Sequence, residues 1–125
     1  MKRKFLLCLC LLACVSARAE LDQNLAIRAI IGEAADQGSR GMLAVACAIR
    51  NRGTLAGVCG LQARHVDREP GWVWARARAA WIRSATVDIT AGATHWENIA
   101  AFGLPYWAHT MTVTVVIGDH RFFRR

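Results

Sequence analysis

Glu33 is the residue of this chain that most needs an explanation. At about 100° per residue on a helix, it falls at the edge of an apolar face made by Ile27, Ile30, Ile31 and Ala34. Ala26 and Ala29 lie along its own stripe. Small neighbours leave space beside the carboxylate, and the apolar face removes part of its hydration. Those conditions raise a carboxyl pKa and suit it to general-acid work. The plainer reading is a boundary glutamate, solvated or paired with an arginine, and residue chemistry alone favours it.

The other residues with chemical potential lie far along the chain. His95, His109 and His120 with Glu97 could supply metal ligands, and His95 and Glu97 would share one face of a strand. No HExxH, CxxC or comparable spacing occurs, so no metal site is expected. The chain also lacks a Gly-x-Ser-x-Gly elbow, a P-loop and a GxGxxG turn, which argues against serine-hydrolase and nucleotide chemistry. Of five tryptophans, Trp72, Trp74 and Trp81 read as helix residues packing in a core. Trp96 and Trp107 sit near His95, Asn98 and Tyr106. Aromatic faces beside amide and imidazole groups are what a saccharide groove requires. For each aromatic singly, core packing is an equal alternative.

The elements that must position these residues follow from periodicity. Residues 22–37 read as a helix with Asp22 at its start and Gly38 after its end. Ser39 offers an N-cap to a second helix over 40–52, stopped by Gly53. Residues 53–69 are glycine-punctuated and read as loop. Pro70 opens a third helix running to about Ser84. After Ala91-Gly92 the pattern changes: residues 93–96 are a short strand candidate and 105–109 a turn. The alternating Val/Thr run 111–117 is a half-buried strand, and Gly118-Asp119 turns into a strand at 120–124. Helices first and a small antiparallel sheet afterwards give an α+β fold in one domain.

The 125 residues are 54% hydrophobic and 20% charged, with mean hydropathy +0.23, which excludes a disordered chain. The charge of +7 invites a nucleic-acid reading. The N-terminus undermines it: Lys2, Arg3 and Lys4 precede an apolar run from Phe5 to Val15 and then Ala17-Arg18-Ala19, the pattern of a secretory signal peptide. The run is too short to span a bilayer. Leu11-Leu12-Ala13-Cys14 resembles a lipobox, but Ala17-Arg18-Ala19 is the cleaner cut. An exported product in the periplasm or cell envelope is expected. Without residues 1–19, twelve arginines, dispersed along the chain, stand against nine acids, +3. That is a weak field for nucleic acid. Cys47 and Cys59 remain; in an oxidising compartment they could pair, or Cys47 could be a buried thiol in its apolar run.

Three groups of residues carry a resemblance to a known family. Residues 26–34 (AIRAIIGEA), 41–46 (GMLAVA) and Arg50-Asn51-Arg52 resemble the opening of the cell-wall hydrolase family typified by the spore-cortex-lytic enzyme, the SleB type. Val58-Cys59-Gly60 also matches. Residues 92–96 (GATHW), 105–108 (PYWA) and 117–122 (IGDHRF) look like its closing motifs, so the similarity runs through most of 24–124 in the family's order. It implies a lysozyme-like fold, with residues 20–125 as the catalytic domain. It also implies cleavage of the MurNAc–GlcNAc β-1,4 bond of a peptidoglycan glycan strand, usually as a lytic transglycosylase and without a cofactor. The family's catalytic acid maps onto Glu33, and Thr94 and His95 map onto a motif lining the same groove. Trp96, Asn98, Tyr106 and Trp107 are the further candidates for substrate binding.

The number of acids fits that implication. A glycosidase normally uses two carboxyls, whereas a lytic transglycosylase can manage with one. Asp36 lies on the outer helix face, and Glu97 is a candidate neighbour across the cleft. Two departures stand out: Phe123 occupies the family's tyrosine position, and residues 61–72 form a shorter segment than in many members. They keep a second reading open, a catalytically silent wall-binding or assembly module. No feature suggests more than a monomer.

Overall fold

The computed structural model describes residues 20–125; the expected signal peptide, Cys14 included, lies outside the described residues. Helix α1 spans Gln23–Ala34, and Asp22 caps it by accepting from the Leu25 N–H at 3.0 Å, as the sequence indicates. Its buried stripe is Ala26, Ile27, Ala29, Ile30, Ile31 and Ala34. Helix α2 spans Gly38–Arg52, and all of residues 41–49 are buried. A helix apolar on every side belongs at the centre of the core. Gly53 ends it in the left-handed region (φ 73°), its N–H returning to the Ile49 carbonyl.

The start of α2 differs from expectation. Ser39 lies inside the helix, and Gln37 takes the cap position without a capping side-chain bond. The Gln37 amide is engaged elsewhere: it donates to the Asp119 carboxylate at 3.0 Å and accepts from the Asp119 N–H at 3.0 Å. That pair ties the helical half to the turn of the sheet.

Part of the segment read as loop is ordered into two short 3-10 helices, Cys59–Gln62 and Arg64–Arg68. They pack against α1, the second anchored by a forked Arg28–Asp67 pair at 2.7 and 3.0 Å. Helix α3 follows at Gly71–Arg83, with Pro70 one position before its first residue and Ser84 at its end. Ala77 and Trp81 are buried as their spacing requires. Trp72 is not a core residue but 60% exposed, with the Arg76 guanidinium over its ring.

The sheet is three-stranded and antiparallel: β1 (His95–Asn98), β2 (Thr112–Ile117) and β3 (His120–Arg124), in spatial order β1-β3-β2. Strand β3 is therefore central, and its Phe122 and Phe123 are fully buried. A bulge between Val113 and Val115 interrupts its pairing with β2. Strand β1 begins two residues later than the sequence suggests. Asp88 accepts from the Thr90 N–H, the Thr90 hydroxyl and the Gly92 N–H, holding the preceding residues in a turn. Asn51 on α2 bonds Asp88 and the Ala93 carbonyl at 3.0 Å each, so pairing starts only after Ala93. One further turn of helix, α4 (Ile99–Phe102), follows β1. The result is the expected α+β architecture, with helices preceding a small antiparallel sheet.

Candidate active site

Glu33 stands one residue before the end of α1, and its position follows from two glycines. Gly32 and Gly60 bring α1 and the first 3-10 helix together backbone to backbone. A Cβ on Gly60 would lie 2.6 Å from the Ala29 carbonyl oxygen and 2.7 Å from Glu33 Cγ. Any side chain at either glycine would force the segments apart. The close approach aims the Gly60 N–H at Glu33 Oε1, 2.8 Å away. The other oxygen, Oε2, accepts from the Trp96 indole N–H at 3.2 Å. One donor comes from the helical half and one from the sheet, so both carboxylate oxygens are fixed and the plane of the group is set.

This carboxylate lines a cleft of about 590 Å3 bounded by Arg52, Gly57, Val58, Cys59, His95, Trp96, Glu97, Phe102 and Trp107. A larger hollow of about 690 Å3 lies elsewhere, beside Glu20, Arg50 and Trp81. Its Arg50 is already committed to the Ser84 hydroxyl and Trp81 carbonyl and lies over the Trp81 ring. The convergence of acids, imidazole and aromatic faces is in the first cleft, and that is where chemistry is expected.

The candidates read from sequence divide into two groups. Glu33, His95, Trp96 and Trp107 meet in the cleft. Trp96 is 9% exposed, so it acts as both core residue and holder of Glu33. Trp107 lies tilted against His95 at 5.4 Å and edge-on to Phe123 at 5.3 Å. Phe123 thus serves as a buried backstop to the rim aromatic. Thr94 stands behind the wall, its hydroxyl sharing a 2.8 Å hydrogen bond with His95 Nδ1. Asn98 and Tyr106 are not brought to the cleft lining. The Asn98 side chain caps α4 by accepting from the Ala101 N–H at 2.9 Å, and Tyr106 is 93% exposed.

Arg52, Phe102 and the Gly60 N–H were not among the candidates. Phe102, 78% exposed, is carried to the cleft by α4, an element too short to show periodicity. Gly60 contributes only its backbone, which no side-chain chemistry in the sequence announces.

Burial raises the Glu97 carboxyl pKa; the bond from the Asn98 N–H opposes this, and the charge of Glu33 adds to it. His95 is lowered by burial and by Arg52 and Arg125, so it is a neutral imidazole at neutral pH. His120, 3% exposed behind the site, is likewise lowered by burial against the pull of Glu33, Asp36 and Asp119. Among the described residues the two thiols are free: Cys47 is buried with its S–H toward the Val87 carbonyl, and Cys59 is exposed at the cleft. Among the described residues, no group of three or more His, Cys, Asp or Glu could hold a metal ion, and no helix is long and apolar enough to cross a membrane.

No protein-family model matches the chain, and no curated protein matches its sequence. Solved structures do. The catalytic domain of the Bacillus cereus SleB protein is similar with a TM-score of 0.61 and 25% identity, over 85% of this chain and 94% of that one. The catalytic domain of the germination-specific lytic transglycosylase SleB from Bacillus anthracis matches with a TM-score of 0.59 and 23% identity, over 85% and 98%. The chain has a SleB-like fold, the fold of a cell-wall lytic catalytic domain.

Proposed function

We propose that the protein is an exported peptidoglycan-cleaving enzyme of the periplasm or cell envelope. It acts on the MurNAc–GlcNAc β-1,4 bond as a lytic transglycosylase, with Glu33 as general acid/base. The observation that carries this reading is the doubly held Glu33 carboxyl in a cleft rimmed by Trp107 and Phe102. A sugar ring stacks on such faces while its hydroxyls bond imidazole and carboxyl groups. In the reaction, Glu33 protonates the leaving O4 as the C1–O4 bond breaks. The C6 hydroxyl of the muramoyl ring then attacks C1 and closes a 1,6-anhydro ring, its proton passing to a carboxylate of the site, which in a one-acid mechanism is Glu33 itself. Positioning supplies much of the rate in such an internal attack, because the nucleophile is already part of the substrate.

Phe123 is 1% exposed and packs on Trp107, so its role in this chain is to support the wall.

The test is mass spectrometry of soluble muropeptides after incubating the purified protein with peptidoglycan, beside Glu33→Gln. Anhydro-muropeptides from wild type alone are expected. Reducing-end products would mean a hydrolase. No release by either, with protein still bound to the wall, would leave a binding module in place of an enzyme.

A further inference from the structure

The cleft contains a second carboxyl that a one-acid mechanism does not use. Glu97 shares the cleft with Glu33 and follows Trp96, the residue whose indole holds Glu33. It alternates with His95 on one face of β1, and both line the cleft. One Glu97 oxygen accepts from the Asn98 N–H at 3.1 Å, and the other has no partner among the described residues.

An ordinary strand glutamate would pair with a cation, and one stands directly opposite: Arg121 is its cross-strand partner on β3. No ion pair forms between them; among the described residues Arg28 pairs with Asp67, and His65 hydrogen-bonds Glu69. The cleft arginine, Arg52, donates instead to the Ala56 carbonyl at 2.8 Å. The charged or titratable groups facing Glu97 are thus Glu33 from α1, Arg52 from α2, Cys59 from the first 3-10 helix, His95 from its own strand and Arg121 from β3. A half-buried carboxyl left without a cation, with one free oxygen in the cleft, is placed for proton transfer rather than for stability.

Resting on the lytic transglycosylase reading, we infer that Glu97, rather than the Glu33 carboxylate, is the base that takes the proton of the attacking C6 hydroxyl. In the step, the C1–O4 pair leaves with O4, which receives the Glu33 proton. The C6 oxygen forms the new bond to C1, and its hydrogen passes to Glu97. The net change on the protein is one proton moved from Glu33 to Glu97, returned through water before the next turnover. The direction of the Glu97 shift suits this role, because a carboxylate of raised pKa is the stronger base.

The test is the pH dependence of anhydro-muropeptide release. Wild type should lose kcat/KM on the acid side as Glu97 gains a proton. Glu97→Gln should lower kcat about 100-fold, the lower end of what a general base contributes. It should also leave KM within about twofold and flatten that acid limb, since no carboxyl remains to be protonated. Glu97→Ala should recover rate with added formate, and Glu97→Asp should keep part of it, which a purely structural role would not produce. Wild-type kcat and an unchanged acid limb in Glu97→Gln would overturn the inference while leaving Glu33 as the acid. A wild-type protein that releases nothing overturns the underlying reading and this one with it.

Discussion

Gly60→Ala is a one-carbon change that should disable the site. The added Cβ would sit 2.6 Å from the Ala29 carbonyl and 2.7 Å from Glu33 Cγ, where about 3.5 Å is comfortable. The shortfall is roughly 1 Å against a helix backbone that cannot yield. The 3-10 helix must back away by that distance, which stretches the 2.8 Å bond from the Gly60 N–H to Glu33 beyond useful range. Overpacking costs about 1–3 kcal/mol, and the lost bond roughly 1 more. For a domain of this size the combined loss lowers Tm by roughly 8–16 °C. A carboxyl displaced by about 1 Å costs on the order of 100-fold in turnover. The assays are thermal melting by circular dichroism and release of soluble muropeptides. Gly71→Ala is the control, because a Cβ there meets nothing within 4 Å. A Gly60→Ala protein with wild-type Tm and turnover would refute the close approach and the clamp built on it.

Trp96→Phe removes the indole donor to Glu33 Oε2 while keeping an aromatic ring in the same wall. Turnover should fall about tenfold, as expected for roughly 1.4 kcal/mol of lost positioning, with Tm reduced by only a few degrees; equal activity of the two proteins would show that the bond does not orient the acid. Asp88 tests the turn before β1. Burial opposes its ionisation, but the bonds from Thr90, Asn51 and Gly92 outweigh it and hold its pKa below the usual range. A depressed folded-state pKa gives stability that is fully present above the unfolded value near 4 and is lost as pH falls through the folded one. Asp88→Asn should therefore lower Tm at pH 6 and flatten the loss as pH falls below about 4. A wild-type Tm that is level across that acid range, matching the variant, would contradict the assignment.

What the sequence revealed and what it hid divide by distance along the chain. The Asp22 cap, the Gly53 stop and the strands at 112–117 and 120–124 were legible because each depends on neighbours within a few residues. The start of β1 was misplaced because Asn51 on α2, about forty residues upstream, pins the turn before it. Glu33 was visible as a polar residue at the edge of an apolar stripe. Its holders were not, since the Gly60 N–H and Trp96 indole lie 27 and 63 residues away. Asn98 had the chemistry of a sugar ligand but meets a local demand, the first turn of α4. Side-chain type alone cannot distinguish those two uses.

Strand β3 lies between β1 and β2 in space yet follows both in the chain. During synthesis, helices α1 to α3 can assemble early, but β1 has no sheet neighbour to pair with until residues 120–124 emerge. At ribosomal rates of about 5–20 residues per second, roughly one to six seconds separate the appearance of Trp96 from that of Arg124. For that interval the nascent chain has Glu33 but not the wall that holds its carboxyl. Completion of the Glu33 clamp therefore waits on the last strand of the described residues, so the proposed activity cannot precede closure of the sheet.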